Sequence, residues 1–228
     1  MPAQVPIDTR LRPLQAFRAV RRLMADPQDT SQVFTIFRAL RGKSTLKVFE
    51  RFAASPIGAQ VIREKRRLLD TLSDRAGLAA LPAGSFGRAY FDFMEAENLS
   101  AEGLVQASQS WENDPVPAEV ELFRQRMRDA HDLTHVLTGY GRDGLGEACL
   151  LSFMYAHNRN RGALLILFMS LKRMPRVARR AVAEAWRNGK AARWFQDLDY
   201  EALLPRPLAD IRRELNIADP AAYRAVMP

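Results

Sequence analysis

The sequence predicts an all-α fold, a single multi-helix domain over residues 1–228 with residues 1–25 as a more peripheral N-terminal helix. Three observations carry that prediction. Apolar residues recur at three- and four-residue spacing along most of the chain, and no convincing period-two alternation appears. The interruptions are proline, glycine and small capping residues, the punctuation that starts and stops helices. With 47% hydrophobic and 26% charged residues, the 228-residue chain has the composition of a globular protein able to bury a sizeable core.

The elements follow in order. Leu11, Leu14, Phe17, Val20 and Leu23 fit a packed helix. The surrounding Thr9–Met24 stretch, Arg-rich and nearly free of acid, also loosely resembles an organellar transit peptide. Asp26-Pro27 breaks the chain, and Asp29, Thr30 and Ser31 offer N-caps for a helix through Phe34, Phe37 and Leu40 that Gly42 stops. Ser55-Pro56 reads as N-cap and first helical position of a helix reaching toward Leu72. After the turn at Leu81-Pro82-Ala83-Gly84, Ser85 caps a helix carrying Phe86, Tyr90, Phe93 and Met94, and a polar helix is expected from Ser100. Asn113-Asp114-Pro115-Val116-Pro117 is the clearest break. A long helix from Ala118 to about Thr138 follows, then a loop holding Gly139, Gly141, Gly144 and Gly146, then a helix from about Leu145 to Ala156. His157–Gly162 reads as a loop, followed by an apolar helix through Leu171, a basic helix from Arg176 to Asn188 ended by Gly189, and a short helix over Leu208–Leu215.

Charge and cysteine content narrow the function classes. A net charge of +8 draws anionic partners. Nucleic acid is disfavoured, because neither a recognised binding motif nor an array of stacking aromatics accompanies the charge. The single cysteine, Cys149, cannot form an intrachain disulfide and fits a reducing compartment; it reads as a buried small apolar residue. The longest apolar run, Ala163–Met169, is far short of the roughly 20 residues that span a bilayer, so no membrane crossing is expected.

Two of the three histidines, His131 and His135, lie four apart on one predicted helix, and Asp132 falls on the same arc. Imidazole and carboxylate suit zinc, and iron or manganese in other settings, whereas magnesium prefers more oxygen. Glu147 is the next carboxylate on the following helix, and a helical hairpin through the glycine-rich loop can aim it back at the histidine pair. Against this stands the plainer alternative of surface histidines, with Asp132 capping the helix or paired with Arg128. A zincin peptidase is disfavoured because Asp132 stands where that motif needs glutamate. An HD-type phosphohydrolase is excluded by the absence of any histidine upstream of His131.

His131-Asp132-Leu133-Thr134-His135, eleven intervening residues and Glu147 within Leu145-Gly146-Glu147 resemble the signature of the coenzyme Q biosynthesis protein four family. Gly84-Ser85-Phe86-Gly87-Arg88-Ala89-Tyr90 and the Leu208–Ile217 stretch resemble two further family segments, so that the likeness runs from about Asp26 to Ile217. The resemblance implies a helical protein peripheral to a membrane and required for making ubiquinone. It implies a role in removing the C1 carboxyl group of a polyprenylated hydroxybenzoate, with C1 hydroxylation following or coupled, or a scaffold that organises the other biosynthetic enzymes. His131, Asp132, His135 and Glu147 are the implied metal ligands, with zinc first and iron or magnesium as alternatives, and Asp132 or Glu147 an implied general acid. Expected partners are a polyprenyl phenolic acid or other isoprenoid lipid, an anionic membrane surface, the other ubiquinone-biosynthesis proteins and a second copy of the chain. The expected place is the cytoplasmic side of the inner membrane in a bacterium, or the matrix side of the mitochondrial inner membrane in a eukaryote.

Three further segments invite function. Leu150, Leu151, Phe153, Met154 and Leu164–Met169 are apolar enough to form either core or a channel for a polyprenyl tail. Arg176, Arg179, Arg180 and Arg187 share one arc opposite Val177, Ala181, Val182, Ala185 and Trp186, a pattern that suits anionic lipid or a simply solvated basic face. His157 with Arg159 and Arg161 reads as a surface loop that could meet a phosphate or carboxylate.

Overall fold

The computed structural model describes residues 9–26, 29, 31–101 and 116–226. Pro27, Thr30 and Asn113–Pro115, to which the sequence assigned breaks and a cap, lie outside them. Among the described residues the regular structure is helical, apart from one isolated bridge between Ser85 and Pro207. The amino-terminal half contains α1 (Pro13–Ala25), α2 (Ser31–Leu40), α3 (Ser44–Ala54), α4 (Pro56–Glu64), α5 (Leu68–Leu72), α6 (Arg75–Ala79) and α7 (Phe86–Ala96). The remainder contains α8 (Ala118–Asp129), α9 (His131–Thr138), α10 (Gly144–Asn158), α11 (Arg161–Leu171), α12 (Arg176–Ala191), α13 (Tyr200–Leu203), α14 (Leu208–Glu214) and α15 (Ala221–Arg224).

The capping signals work as expected. The Ser55 side chain accepts the Gly58 N–H at 3.0 Å, with Pro56 opening α4, and the Ser85 side chain accepts the Arg88 N–H at 3.3 Å. The long segments break sooner than periodicity suggests. The Ser55–Leu72 stretch is cut by Lys65, whose φ of 53° is left-handed, and the Ala118–Thr138 stretch bends at Ala130, where ψ is −2°. Helix α3 and the short helices α6, α13 and α15 were not expected. The last two have four residues each, too short to persist without tertiary support. The expected loop at 157–162 shrinks to Arg159 and Asn160, because α10 runs through Asn158.

The main core gathers around α9, α10 and α12, with Leu133, Leu137, Cys149, Leu150, Phe153, Ala181, Val182, Ala185 and Phe195 buried together. Gly189 does not end α12; the helix continues to Ala191. A Cβ on Gly189 would lie 2.4 Å from the Phe153 carbonyl oxygen, so this residue lets α10 and α12 approach backbone to backbone. Burial of the Cys149 thiol, with Asp143 and Glu184 nearby, pushes its pKa up to about 12, consistent with an inert core position. Leu150 and Phe153 belong to the core, whereas Leu164 and Phe168 are exposed on α11. The α1 pattern splits likewise: Val20 and Leu23 are buried, while Leu11, Leu14 and Phe17 are exposed. On α12 the apolar side also divides, with Ala181, Val182 and Ala185 buried and Val177 and Trp186 exposed beside the arginine arc. No helix of the described residues is long and apolar enough to cross a membrane.

His157 is wedged between Phe153 and Phe195, with ring centroids 5.3 and 4.6 Å away. Burial, aided by the Arg51 charge, lowers its pKa from 6.5 to about 4. In that window the unfolded chain binds the additional proton, so stability rises with pH between about 4 and 6.5. Moving from pH 7 to pH 5 therefore costs about 2 kcal/mol through this residue. Urea unfolding at both pH values should show that loss in the wild type and its absence in His157→Gln.

Candidate metal centre

Helix α9 presents one imidazole, one carboxylate and a second imidazole within five residues, and its position is set from two sides. Its carboxyl end leaves the Val136 and Leu137 carbonyls without helical partners. Arg212 of α14 donates to both at 2.8 Å, a charge-assisted cap also favoured at the negative end of a helix. The Phe93 ring of α7 stacks on His135 at 5.9 Å and 19°. The first turn of α7 is itself tied to the carboxyl-terminal region: Phe86 and Gly87 N–H donate to the Arg206 and Leu204 carbonyls at 2.8 and 2.7 Å. Arg212→Ala should cost about 2–3 kcal/mol and weaken metal binding by roughly tenfold or more, because two buried carbonyls lose their donor and α9 loosens. Chemical unfolding and metal titration check the two effects separately.

The glycine-rich reversal aims α10. Gly139, with φ of 75°, ends α9, and Asp143 caps α10 by accepting the Leu145 and Gly146 N–H groups at 2.9 and 3.0 Å. Tyr223 of α15 donates to the other Asp143 oxygen and accepts the Gly141 N–H at 3.0 Å. A Cβ at Gly146 would stand 2.0 Å from the Gly141 carbonyl oxygen, so any side chain there forces the loop away from α10. Glycine directly before Glu147 thus keeps the hairpin tight enough for the glutamate to face α9.

Three side chains of the sequence motif come together on α9, and Glu147 of α10 approaches the histidine pair. Donor atoms of His131, Asp132 and His135 all lie within 4.8 Å of one another. The two imidazole Nε2 atoms are 3.2 Å apart, and the Glu147 carboxylate oxygens lie 3.5 Å from His135 Nε2 and 3.9 Å from His131 Nε2. His135 Nδ1 sits 2.9 Å from the Tyr140 carbonyl oxygen; donation to it directs the lone pair of the neutral ring to Nε2. This outer hydrogen bond is the usual support of a metal-ligating histidine. Asp132 is buried, and its Oδ1 has no hydrogen-bond partner. A buried orphan carboxylate oxygen beside two converging imidazole nitrogens is costly unless a cation is shared. The mixed nitrogen and oxygen set therefore fits a divalent ion.

Burial and mutual charge shift the titration of three of these groups. Burial lowers the His131 pKa, and the neighbouring His135 lowers it further, outweighing the pull of Glu147 and Asp132. For His135 burial acts downward too, but the Glu147 contact and the Tyr140 carbonyl raise it overall. Burial alone would raise Glu147, yet His135, His131 and Arg142 hold its carboxyl below the ordinary range, in the ionised form a ligand requires. Tyr140, Asp143, Arg142, Arg212, Phe93 and Tyr223 support the site but escaped the sequence reading. Only Asp143 carried a local signal, an acidic N-cap two residues before Leu145-Gly146-Glu147.

Fold and site together define an all-helical protein in which one helix brings two histidines and a carboxylate together, with Glu147 of the next helix facing the histidine pair. The family model described as coenzyme Q (ubiquinone) biosynthesis protein Coq4 matches residues 2–221, and the chain belongs to that family. It is 28% identical over 234 residues to the mitochondrial ubiquinone biosynthesis protein COQ4 homolog of Bos taurus, covering 96% of this chain and 83% of that protein. With the Danio rerio homolog it shares 26% identity over 224 residues, covering 96% and 81%. A crystal structure from Nostoc punctiforme PCC 73102, described as a ubiquinone biosynthesis protein, superposes with a TM-score of 0.66 at 19% identity. That superposition covers 92% of this chain and all of that one, which supports the fold.

Proposed function

We propose that this chain is a metal-dependent decarboxylase acting on a polyprenylated hydroxybenzoate intermediate of ubiquinone biosynthesis. The observation that supports the reading most is the approach of Glu147 to within 3.5 and 3.9 Å of the two imidazoles, beside the orphaned Asp132 oxygen. His131, Asp132, His135 and Glu147 hold the ion, zinc first. When bound, the ion supplies a Lewis acid near the substrate's carboxylate or phenolate.

The chain's own residues then have distinct tasks. Tyr140 fixes the His135 ring through Nδ1, and Phe93 limits its rotation. Glu147 is 42% exposed and exchanges protons with solvent more readily than buried Asp132; either carboxyl would act as the acid in place of serving as a ligand, with fewer protein ligands on the ion. A proton delivered to C1 by one of these carboxyl groups lets the bond to the carboxylate carbon break; carbon dioxide departs and its bonding electrons restore the ring. C1 hydroxylation, following this loss or coupled to it, would require an oxidant. The single domain extends over residues 1–228, and the exposed Val177 and Trp186 beside the α12 arginines rest on an anionic membrane. In a eukaryotic setting that membrane would be the mitochondrial one of the named relatives.

A non-catalytic scaffold that uses the same ion for structure is the second reading, favoured by the exposed Leu14, Phe17, Leu164 and Phe168 as docking surface. Metal analysis of the purified chain, paired with a decarboxylation assay on a short-tailed substrate, separates the two. Turnover by the wild type that Glu147→Gln abolishes, with the fold intact, supports the enzyme. Bound isoprenoid without turnover supports the scaffold, and full activity of Glu147→Gln with metal retained removes Glu147 from the chemistry.

A further inference from the structure

Helix α10 has a second polar surrounding at its other end. His157 lies ten residues beyond Glu147, roughly 15 Å along the helix axis. There a cleft of about 760 Å³ opens between the α2–α3 turn, the first turns of α3, the end of α10 and Trp194. Six cationic side chains line it: Arg41, Lys43, Lys47, Arg51, Arg159 and Arg161. No carboxylate is among the described lining residues. The chain carries 34 basic and 26 acidic residues, so an all-cationic wall is not what composition alone would supply.

Several features make this wall more than a solvated basic face. The Arg51 guanidinium lies 4.0 Å over the Trp194 ring and that of Arg159 lies 5.9 Å over Tyr155, which restrains both planar groups. Helix α3 starts at this cleft with no side-chain cap at Lys43 and no acid in its first turn, so its N–H groups and dipole favour negative charge. The buried Nε2 of His157, which lines the same space, has no hydrogen-bond partner.

We propose that this cleft binds a phosphate-bearing anion, with the charge and reach of a pyrophosphate group, at a site separate from the metal centre. The phosphate can belong to a soluble ester or to a lipid headgroup, and both present the same oxygens to the arginines. Lys43 and Lys47 are exposed, so removing them leaves the fold intact.

The experiment titrates full-length protein with inorganic pyrophosphate by calorimetry at fixed ionic strength. In parallel it measures flotation with phosphatidylcholine vesicles with and without phosphatidic acid. Lys43→Ala/Lys47→Ala should weaken pyrophosphate binding by about tenfold or more, while Lys172→Ala/Lys190→Ala, exposed lysines on another face, should change it by less than about twofold. If pyrophosphate does not bind but phosphatidic acid vesicles hold the wild type and release the Lys43/Lys47 variant, the phosphate is a lipid headgroup and the site stands. Pyrophosphate binding that the Lys43/Lys47 variant leaves unchanged, or that His135→Gln abolishes instead, overturns the proposal, as does the absence of pyrophosphate binding together with flotation that is absent or unchanged in that variant.

Discussion

His135→Gln should lower the affinity of this chain for a divalent ion by well over 100-fold while leaving its helical content unchanged. Loss of a residue that merely supports a ligand already costs about 10- to 100-fold, and this substitution removes a donor atom outright. His135 is almost fully buried at 1% exposure, with Nδ1 committed to the Tyr140 carbonyl and its ring against Phe93. Glutamine roughly fills the volume, but its amide cannot hold Tyr140 and present a lone pair toward His131 and Glu147 in the same way. His131→Gln, at a side chain 37% exposed, should show a smaller structural effect and a comparable loss of metal. Competition against a chromogenic chelator reads affinity, and far-ultraviolet circular dichroism reads the fold. Retention of wild-type affinity in both variants would show that the imidazole pair is not a ligand set.

The second large effect is on stability. Arg126 is completely buried on α8 and forms a two-pronged contact with Glu201, at 2.8 and 2.6 Å, while also donating to the Leu198 carbonyl at 3.1 Å. Glu201→Ala leaves that guanidinium without its counter-charge, a change that typically costs about 3–5 kcal/mol. For a protein of this size the melting temperature should fall by roughly 10 °C. Glu201 lies on the four-residue α13, so the loss should also release that helix and Tyr200 from the core. Burial alone would raise the Glu201 pKa, but the Arg126 hydrogen bond and charge lower it below 4.5. The pair's contribution is therefore complete above that value and is lost as pH falls through the lowered one. Thermal melts of wild type and variant should converge in acid; an equal gap at pH 7 and pH 3 would assign the stability to packing instead.

Repair of the Glu201 variant is also informative. Arg126→Met combined with Glu201→Leu removes both charges, and should recover most of the loss if the stranded charge, not the pair itself, is what destabilises.

The helical class, the Ser55 and Ser85 caps and the shared helix face of His131, Asp132 and His135 were legible in the amino-acid order, because each depends on spacing within a few residues of the same chain. Periodicity of 3.6 declares a helix, serine before proline declares its start, and residues at i, i+1 and i+4 share a helical face whatever surrounds them. Only the tertiary structure decided the rest. Gly189 looks like a stop signal until α10 is seen to need that space, and Arg212 looks like one more surface cation until its guanidinium reaches two carbonyls of α9. Equally, Leu14 and Phe17 cannot be told from Val20 and Leu23 without knowing which side of α1 meets a neighbour. The same holds for the cluster of Arg41, Lys43, Lys47, Arg51, Arg159 and Arg161, scattered over more than a hundred positions and assembled only when α3 and α10 pack end to side. Local pattern reports backbone geometry and facing. Burial and partnership between distant segments follow from how the helices settle against one another, a free-energy balance of the whole chain that no short stretch encodes.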